Sequence, residues 1–310
     1  MIPREAITRA AARIAGHVRR TPVIDVTVEG VALPVTLKLE LLQHAGSFKS
    51  RGAFNTLLQA QVGVGGVATA SGGNHGAAVA FASRQLGHRA KIFVPEIASP
   101  AKVSRIASYG AEIVQKGANY YEAFALCEEW IAASGATNVH AYDAEATLEG
   151  QGTLGRELES QAPGIDTLLV AVGGGGLIGG IAAWYQSSVK IVGVEPETCN
   201  TLQAALAAGE RVAVKPSGLA NDSLGATTVG KLMFEIARDH VSQVVLISDD
   251  DIRNAQRKLW RDMQLVTEPG GATAFAALLS GAYKPAKDER VGVVVCGANT
   301  SMDVFGQLFS

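Results

Sequence analysis

Short apolar segments alternate with alanine-rich segments along most of this 310-residue chain, and this alternation limits the folds available to it. Each apolar segment is hydrophobic nearly throughout, as expected for a strand of a parallel sheet that is covered on both faces. The alanine-rich segments favour helices, and several close on glycine, the usual residue after a helix C-terminus. The predicted strands are residues 66–69, 90–95, 111–114, 167–172, 190–195, 243–248 and 290–297. The repeated strand–helix–strand order predicts an α/β fold with mainly parallel sheets.

The composition narrows the classes of protein to which the chain can belong. The net charge is −2 and no basic stripe is present, so we expect no nucleic-acid partner. No apolar run approaches the ~18 residues that cross a bilayer, so we expect no membrane association. Cys127, Cys199 and Cys296 are far apart and lack CxxC spacing. That pattern favours reduced thiols in a cytoplasmic protein over a disulfide framework or a zinc site.

Residues 65–140 contain their own run of strand and helix segments. We therefore predict a small domain at 65–140, inserted into a large domain formed by 1–64 and 141–310. No linker rich in proline or serine separates the two parts, so this division rests on the strand pattern.

Residues 168–184, LLVAVGGGGLIGGIAAW, run from a predicted strand through four consecutive glycines into a predicted helix. Such a turn presents several backbone N–H groups at a helix N-terminus, and glycine lets a phosphate approach them closely. The stretch also satisfies GxGxxG through Gly174, Gly176 and Gly179, and Glu195 ends the next strand, where a ribose-binding acid would lie. A dinucleotide-dependent oxidoreductase is therefore one alternative.

Two further strand ends carry polar residues beside glycines. Residues 68–82, ATASGGNHGAAVAFA, contain Ser71, Asn74 and His75, which can hold a carboxylate or a ring hydroxyl. A histidine at a helix start is ordinarily a cap or a core residue, but its small and polar neighbours favour a binding role here. The last predicted strand ends near Cys296, at the edge where open α/β sheets bind ligands.

Lys49 lies within the glycine-bounded segment GSFKSRGAFN at residues 46–55. One ligand would use this amine, the glycine turn and the polar strand ends together. Pyridoxal 5′-phosphate fits this description, because its phosphate would occupy the glycine turn and its aldehyde would react with Lys49. Burial lowers the pKa of a lysine and so makes part of it a neutral nucleophile, whereas a dehydrogenase has no need of such a lysine.

Together these segments resemble the serine/threonine dehydratases, which are β-family (fold type II) pyridoxal-phosphate enzymes. The matching motifs occur in the family's order and span nearly the whole chain. They are KLELLQHAGSFKSRGAFN, SGGNHG, EGQGT, GGGGLIGG, GVEPE, EPGGA and CGAN. The resemblance implies a tryptophan synthase β-like fold, with two open twisted mainly parallel sheets flanked by helices, and a homodimer.

The resemblance also implies roles for particular residues. Lys49 would bind the cofactor covalently and move the Cα proton of an amino-acid substrate. Phe48 would pack near the cofactor ring, Asn74 would bind its 3′-hydroxyl, and Cys296 would face its pyridine nitrogen. The phosphate would be held by Gly173, Gly174, Gly175 and Gly176. The substrate carboxylate would lie beside Ser71, Gly73, Asn74 and His75.

Two departures from the family pattern affect the expected chemistry. Related serine racemases carry an acid/base serine at the position of Gly72, so racemisation is disfavoured and one-base elimination is expected. Many relatives bind Mg²⁺ or Ca²⁺ after GVEP. Glu195 and the Cys199 carbonyl are candidate ligands here, but Thr201 replaces the expected aspartate and weakens a site for such a cation.

We therefore predict a PLP-dependent ammonia-lyase (dehydratase). It would convert a 3-hydroxy amino acid, such as L-threonine or L-serine, to a 2-oxo acid and ammonia by β-elimination. Within the same fold, the alternatives are an amino-acid racemase and a dehydratase of another 3-hydroxy amino acid, either hydroxyaspartate-like or from a degradation pathway.

Overall fold

The computed structural model describes residues 2–309, and Met1 and Ser310 of the predicted large domain lie outside them. This part of the chain contains ten strands and thirteen α-helices. The strands are β1 (Val23–Val26), β2 (Val35–Lys38), β3 (Val67–Ala70), β4 (Ala90–Val94), β5 (Glu112–Gln115), β6 (Thr137–Asn138), β7 (Thr167–Ala171), β8 (Lys190–Pro196), β9 (Val241–Ile247) and β10 (Val291–Val294). The helices are α1 (Arg4–Arg13), α2 (Lys49–Gln59), α3 (Asn74–Gln85), α4 (Pro100–Ser108), α5 (Tyr120–Ser134), α6 (Glu145–Gln161), α7 (Gly176–Tyr185), α8 (Thr201–Ala208), α9 (Asn221–Leu224), α10 (Lys231–His240), α11 (Asp249–Met263), α12 (Pro269–Leu279) and α13 (Met302–Gly306).

The larger sheet has six strands in the order β1-β2-β10-β7-β8-β9. The pair β1–β2 is antiparallel, and all the other pairs in this sheet are parallel. Both β7 and β10 are buried along their whole length, because helices such as α7 and α12 cover the sheet. This burial explains why these strands are continuous apolar segments in the sequence.

The smaller sheet has four parallel strands in the order β5-β4-β3-β6. All four come from residues 67–138, the part of the chain where a separate small sheet is expected. An α/β fold with two mainly parallel sheets is therefore confirmed. The exact division into two domains stays a prediction.

All seven predicted strands are present, and three further strands were not predicted. Of these, β1 and β2 form an antiparallel pair at the edge of the larger sheet, and β2 carries Thr36 and Lys38 among its apolar residues. The third, β6, is only two residues long. Such short or polar segments do not carry the long apolar signal of a central strand.

Helix α6 fixes the distance between α2 and α7, which both begin at predicted site residues. A Cβ on Gly150 of α6 would lie 2.6 Å from the Arg51 carbonyl oxygen of α2. A Cβ on Gly180 of α7 would lie 2.5 Å from the Leu148 carbonyl oxygen of α6. These glycines let the three helices pack backbone to backbone, so the EGQGT motif serves the packing of the site.

No helix within residues 2–309 is long and apolar enough to cross a bilayer.

Candidate active site

Lys49 begins α2 and extends its amine into a cleft between the carboxyl ends of the strands of the two sheets. Its Nζ donates a 2.7 Å hydrogen bond to the carbonyl oxygen of Ala141, which follows β6. Burial lowers the pKa of Lys49 from 10.5 to about 8, although the nearby Cys296 opposes this shift. A substantial fraction of the amine is therefore uncharged just above neutral pH and can act as a nucleophile or a base.

The four-glycine turn connects β7 to α7. Because its residues have no side chains, its backbone is accessible to a ligand. Gly175 has a φ of +89°, and a Cβ there would lie 2.2 Å from the Met233 side chain. A Cβ on Gly173 would lie 3.1 Å from the Leu224 backbone. Any other residue would be strained at Gly175 and crowded at Gly173, and the turn presents N–H groups at the N-terminus of a ten-residue helix. These features suit a bound phosphate.

The segment that follows β6 binds the Lys49 amine and also contacts the glycine turn. Tyr142 directly follows Ala141, and a Cβ on Gly174 would lie 2.5 Å from its ring. The next residue, Asp143, accepts hydrogen bonds from the first two backbone N–H groups of α10, at 2.8 and 2.9 Å. This short segment therefore brings the amine and the anion-binding turn into one cleft.

Asn74 starts α3 and joins the two sides of the cleft through its side-chain amide. Its Nδ2 donates a 2.6 Å hydrogen bond to Glu268, and its Oδ1 accepts a 2.5 Å hydrogen bond from Asn299. Glu268 is buried, and burial raises its pKa to about 7 although Asn74, Lys102 and Arg105 favour its charged form.

Sequence reasoning assigned no role to Glu268, although its motif EPGGA was part of the resemblance. An acid directly before Pro269 at the start of α12 was the available signal. Such an acid ordinarily stabilises its own helix, so the signal gave no reason to expect a partner in another sheet.

Cys296 and Phe48 lie side by side where β10 ends. The Phe48 backbone N–H donates a 3.3 Å hydrogen bond to the Cys296 carbonyl oxygen, and the Lys49 Nζ is 5.1 Å from the Phe48 ring centre. Burial raises the pKa of the Cys296 thiol far above its usual range, so the thiol stays neutral. Its Sγ donates to the Gly270 carbonyl oxygen over 3.4 Å.

Ser71, Gly73 and His75 lie around the start of α3, but they present different groups to the cleft. The Gly73 N–H donates a 3.2 Å hydrogen bond to the Ser71 hydroxyl. The His75 side chain is buried, and its Nε2 donates to the Val139 carbonyl oxygen over 2.7 Å. Burial and the nearby Lys49 lower the pKa of His75 to about 3. The ring is thus a neutral core group, and only the backbone of His75 is left for a substrate carboxylate.

Glu195, the candidate cation ligand, is occupied by other partners. Its carboxylate accepts hydrogen bonds from the backbone N–H groups of Leu202 and Gln203, both at 2.8 Å, and from the Thr201 hydroxyl at 3.1 Å. The acid therefore caps α8. Within residues 2–309, no group of three or more His, Cys, Asp or Glu side chains is arranged to hold a metal. These residues, with Cys199 nearby, do not fit Mg²⁺ or Ca²⁺, which need several oxygen ligands.

The chain matches a protein-family model over residues 14–297, and the family is described as pyridoxal-phosphate dependent enzyme. The chain belongs to this family. The matched segment includes Lys49, the glycine turn and Cys296. The dinucleotide-dependent alternative is therefore wrong, and the carboxylate of Glu195 that it required is bound to the N-terminus of α8.

Relatives in this family share both the sequence and the fold of the chain. The chain is 38% identical to the phenylserine dehydratase of Ralstonia pickettii, over 97% of this chain and 94% of that protein. It is 34% identical to the catabolic L-threonine dehydratase of Escherichia coli (strain K12), with the same coverage. The structure of maize serine racemase superposes with a TM-score of 0.94 at 32% identity, covering 99% of this chain and 96% of that one. The expected fold type is confirmed.

The cleft fits the cofactor of the family. Pyridoxal phosphate needs an amine for its aldehyde, an anion seat for its phosphate and a neutral or acidic partner for its ring nitrogen. Lys49, the turn Gly173–Gly176 and Cys296 provide these groups around one cleft, with Asn74 and Phe48 beside them. These residues would hold the cofactor.

Proposed function

We propose that the chain is a pyridoxal-phosphate-dependent dehydratase, which converts a 3-hydroxy amino acid to a 2-oxo acid and ammonia by β-elimination. The observation that carries this proposal is the Lys49 amine, which has a pKa of about 8 and lies in the same cleft as the four-glycine turn. Relatives named phenylserine dehydratase, L-threonine dehydratase and L-threonine ammonia-lyase support the lyase reaction. L-Threonine, L-serine and bulkier 3-hydroxy amino acids are the substrates to test.

Each residue of the cleft has a specific task in this proposal. The cofactor, when bound, supplies the electron-withdrawing ring that makes the Cα proton of the substrate acidic. Lys49 takes that proton, and the partly neutral state of its amine at working pH suits this task. The backbone N–H groups of Asn74 and His75, at the start of α3, bind the substrate carboxylate beside Gly73. Ser71 borders the same site.

Racemisation is the alternative that the serine racemase relatives favour. Racemisation needs a second proton-transfer group on the face opposite Lys49, and Gly72 has no side chain to provide it. A Cβ on Gly72 would lie 3.1 Å from both Ala98 Cβ and Val94 Cγ1, so a serine fits there only if these neighbours move. We therefore favour elimination, and chiral analysis of recovered L-serine tests this choice. Accumulation of D-serine would favour the racemase.

Several finer assignments belong to the same proposal. We propose no divalent cation, because both oxygens of the Glu195 carboxylate already accept hydrogen bonds from the start of α8. We propose that residues 65–140 form a small domain inserted into the large one. The family resemblance supports a homodimer, and the three free cysteines are compatible with the cytoplasm.

The proposal is tested with the purified chain incubated with pyridoxal 5′-phosphate. Binding through Lys49 should give a yellow protein that borohydride bleaches, and mass spectrometry should place the reduced adduct on Lys49. Release of a 2-oxo acid from L-threonine, L-serine and larger 3-hydroxy amino acids then measures the reaction. A Lys49→Ala variant should fold, remain without the adduct and release no 2-oxo acid. Full activity of that variant would overturn the proposal.

A further inference from the structure

Aromatic side chains gather at the mouth of the cleft, beside the glycine turn. We call Tyr120, Tyr121, Phe124 and Tyr142 the tyrosine cluster. The Tyr120 ring lies 5.8 Å from the Tyr121 ring and 6.0 Å from the Phe124 ring. Tyr142 comes from the loop after β6. Burial, followed by the nearby Tyr142, raises the pKa of Tyr120 to about 12.

Tyr121 connects the cluster to the other side of the cleft. Its hydroxyl donates a 2.6 Å hydrogen bond to the Thr227 hydroxyl. Thr227 lies in the loop between α9 and α10. Both ends of this loop contact the glycine turn. Leu224, at one end of the loop, packs on Gly173, and the Gly230 N–H, at the other end, donates to the Gly174 carbonyl oxygen over 3.1 Å. The tyrosines of α5 therefore stand next to the turn and not on a remote surface.

Two of these rings remain partly open to solvent. Tyr120 is 45% exposed and Tyr121 is 58% exposed. Covering an exposed aromatic ring with a ligand lowers the free energy of the complex through the buried apolar area. Contacts between aromatic rings stabilise the complex further. Two partly exposed rings at the entrance of a binding cleft are suited to cover an apolar group of a ligand, and the hydrogen bond of Tyr121 to Thr227 fixes one of them.

The proposed reaction places such a group in this position. The substrate Cα must lie beside the Lys49 amine, which is bound to Ala141, the residue before Tyr142. The carboxylate lies toward the start of α3 in the proposed function. A Cβ substituent that extends away from α3 and past Ala141 would then reach the tyrosine cluster.

We propose that the tyrosine cluster selects a 3-hydroxy amino acid whose Cβ carries an aromatic ring. This inference rests on the proposed function and adds the class of side chain. The ring would be covered by Tyr120 and Tyr121 from α5 and by Tyr142 from the opposite side. A methyl group, as in threonine, is too small to reach the rings of α5 and would gain little from them.

Two cationic residues near the cleft, Lys102 and Arg105, have partners outside the tyrosine cluster. Lys102 forms an ion pair with Asp222, and it faces Glu268 as well. The Arg105 guanidinium lies 2.8 Å from the position of a Cβ on Gly46 and also acts on the Glu268 carboxylate. Both cations therefore lie beside Glu268 on the other side of Asn74. Arg211 does lie near the Tyr142 hydroxyl, where its Nε donates a 2.9 Å hydrogen bond to the Val229 carbonyl oxygen. The comparison with 3-hydroxyaspartate therefore tests whether this cation attracts a second carboxylate to the cluster.

The test uses the holoenzyme, 3-phenylserine, L-threonine and 3-hydroxyaspartate as substrates, with kcat/KM from 2-oxo acid release. Binding is measured separately with L-phenylalanine and L-alanine, which lack a leaving group, through the change in cofactor absorbance. The variants are Tyr120→Ala and Tyr121→Ala. The matched control is Trp130→Ala, which removes an aromatic side chain further along α5, where it packs on Lys91.

We expect a higher kcat/KM for 3-phenylserine than for the other two substrates. Each tyrosine variant should weaken L-phenylalanine binding about 2- to 10-fold and leave L-alanine binding unchanged. Trp130→Ala should change neither. The inference would be overturned if the tyrosine variants weakened L-phenylalanine and L-alanine binding equally. It would also be overturned if the enzyme preferred threonine or 3-hydroxyaspartate and the variants did not alter that preference. Either result would leave the dehydratase proposal standing. Failure to release a 2-oxo acid from any substrate would instead count against the proposed function.

Discussion

The side-chain amide of Asn74 donates a 2.6 Å hydrogen bond to Glu268, which is 194 residues further along the chain. Asn74 follows the smaller sheet, and Glu268 precedes α12, which packs on the larger one. The bond therefore joins the two sides of the cleft directly beside the proposed cofactor. Asn299 binds the carbonyl oxygen of the same amide, so the orientation of Asn74 is fixed at both ends.

The buried Glu268 is expected to make stability depend on pH. Burial raises its pKa from 4.5 to about 7, so the folded state favours the protonated acid more than the unfolded state does. The contribution of Glu268 to stability is therefore full below pH 4.5 and is lost as the pH rises through about 7, by on the order of 3 kcal/mol. Glu268→Gln keeps the acceptor for Asn74 and removes this titration.

Urea unfolding of the wild type and Glu268→Gln from pH 5 to pH 8 measures the effect. The difference between the two proteins isolates Glu268, because Glu195 also has a pKa raised to about 7 by burial and is present in both. The variant should gain stability relative to the wild type as the pH rises. A difference that stays constant over this range would show that Glu268 is charged throughout.

The parts of the site that lie within single short segments could be predicted from the sequence. Lys49 and the four glycines stand in local motifs whose residue types fit few other purposes, so their placement in one cleft could be expected. The partner of Asn74 could not, because it depends on how two sheets pack against each other. The direction of His75 likewise depends on β6, whose neighbour Val139 binds the ring. β6 has two residues and was missed.

The conformation of Gly175 gives a test of the glycine turn. Gly175→Ala should destabilise the fold and weaken cofactor binding at least 10-fold. The residue has a φ of +89°, and its new Cβ would meet Met233 at 2.2 Å, so the turn must move. Gly209→Ala is the matched control, since Gly209 has a φ of +74° after α8 and no atom within 4 Å of the added Cβ. This control should lose about 1 kcal/mol of stability and bind the cofactor normally. Equal cofactor affinities for the two variants, measured by absorbance titration, would contradict an anion seat at the turn.

A buried ionic network behind Lys49 should contribute more to stability than any exposed ion pair. The Arg51 Nε donates to Glu40 at 2.6 Å and its Nη1 donates to Glu157 at 3.1 Å, while Arg51 and Glu40 are 1% and 0% exposed. Arg51→Met would leave the Glu40 charge buried without its main partner, so we expect a loss of about 3–5 kcal/mol in urea unfolding. Arg253→Met, which removes an exposed pair with Asp250, should cost less than about 1 kcal/mol. Similar losses in the two variants would mean that other groups, such as Lys38, compensate for Arg51.

Removal of divalent cations should leave the protein unchanged, because the acid expected to bind a cation already has other partners. Both carboxylate oxygens of Glu195 accept hydrogen bonds at the start of α8, from Leu202 and Gln203. The unfolding temperature and the rate of 2-oxo acid release are therefore expected to be the same with EDTA as with added Mg²⁺ or Ca²⁺. Glu195→Gln tests the cause, since an amide accepts only through its oxygen and cannot satisfy both N–H groups. It should lower stability by about 1 kcal/mol whether or not cations are present. A loss of stability on chelation that Glu195→Gln abolishes would instead show that the acid binds a cation.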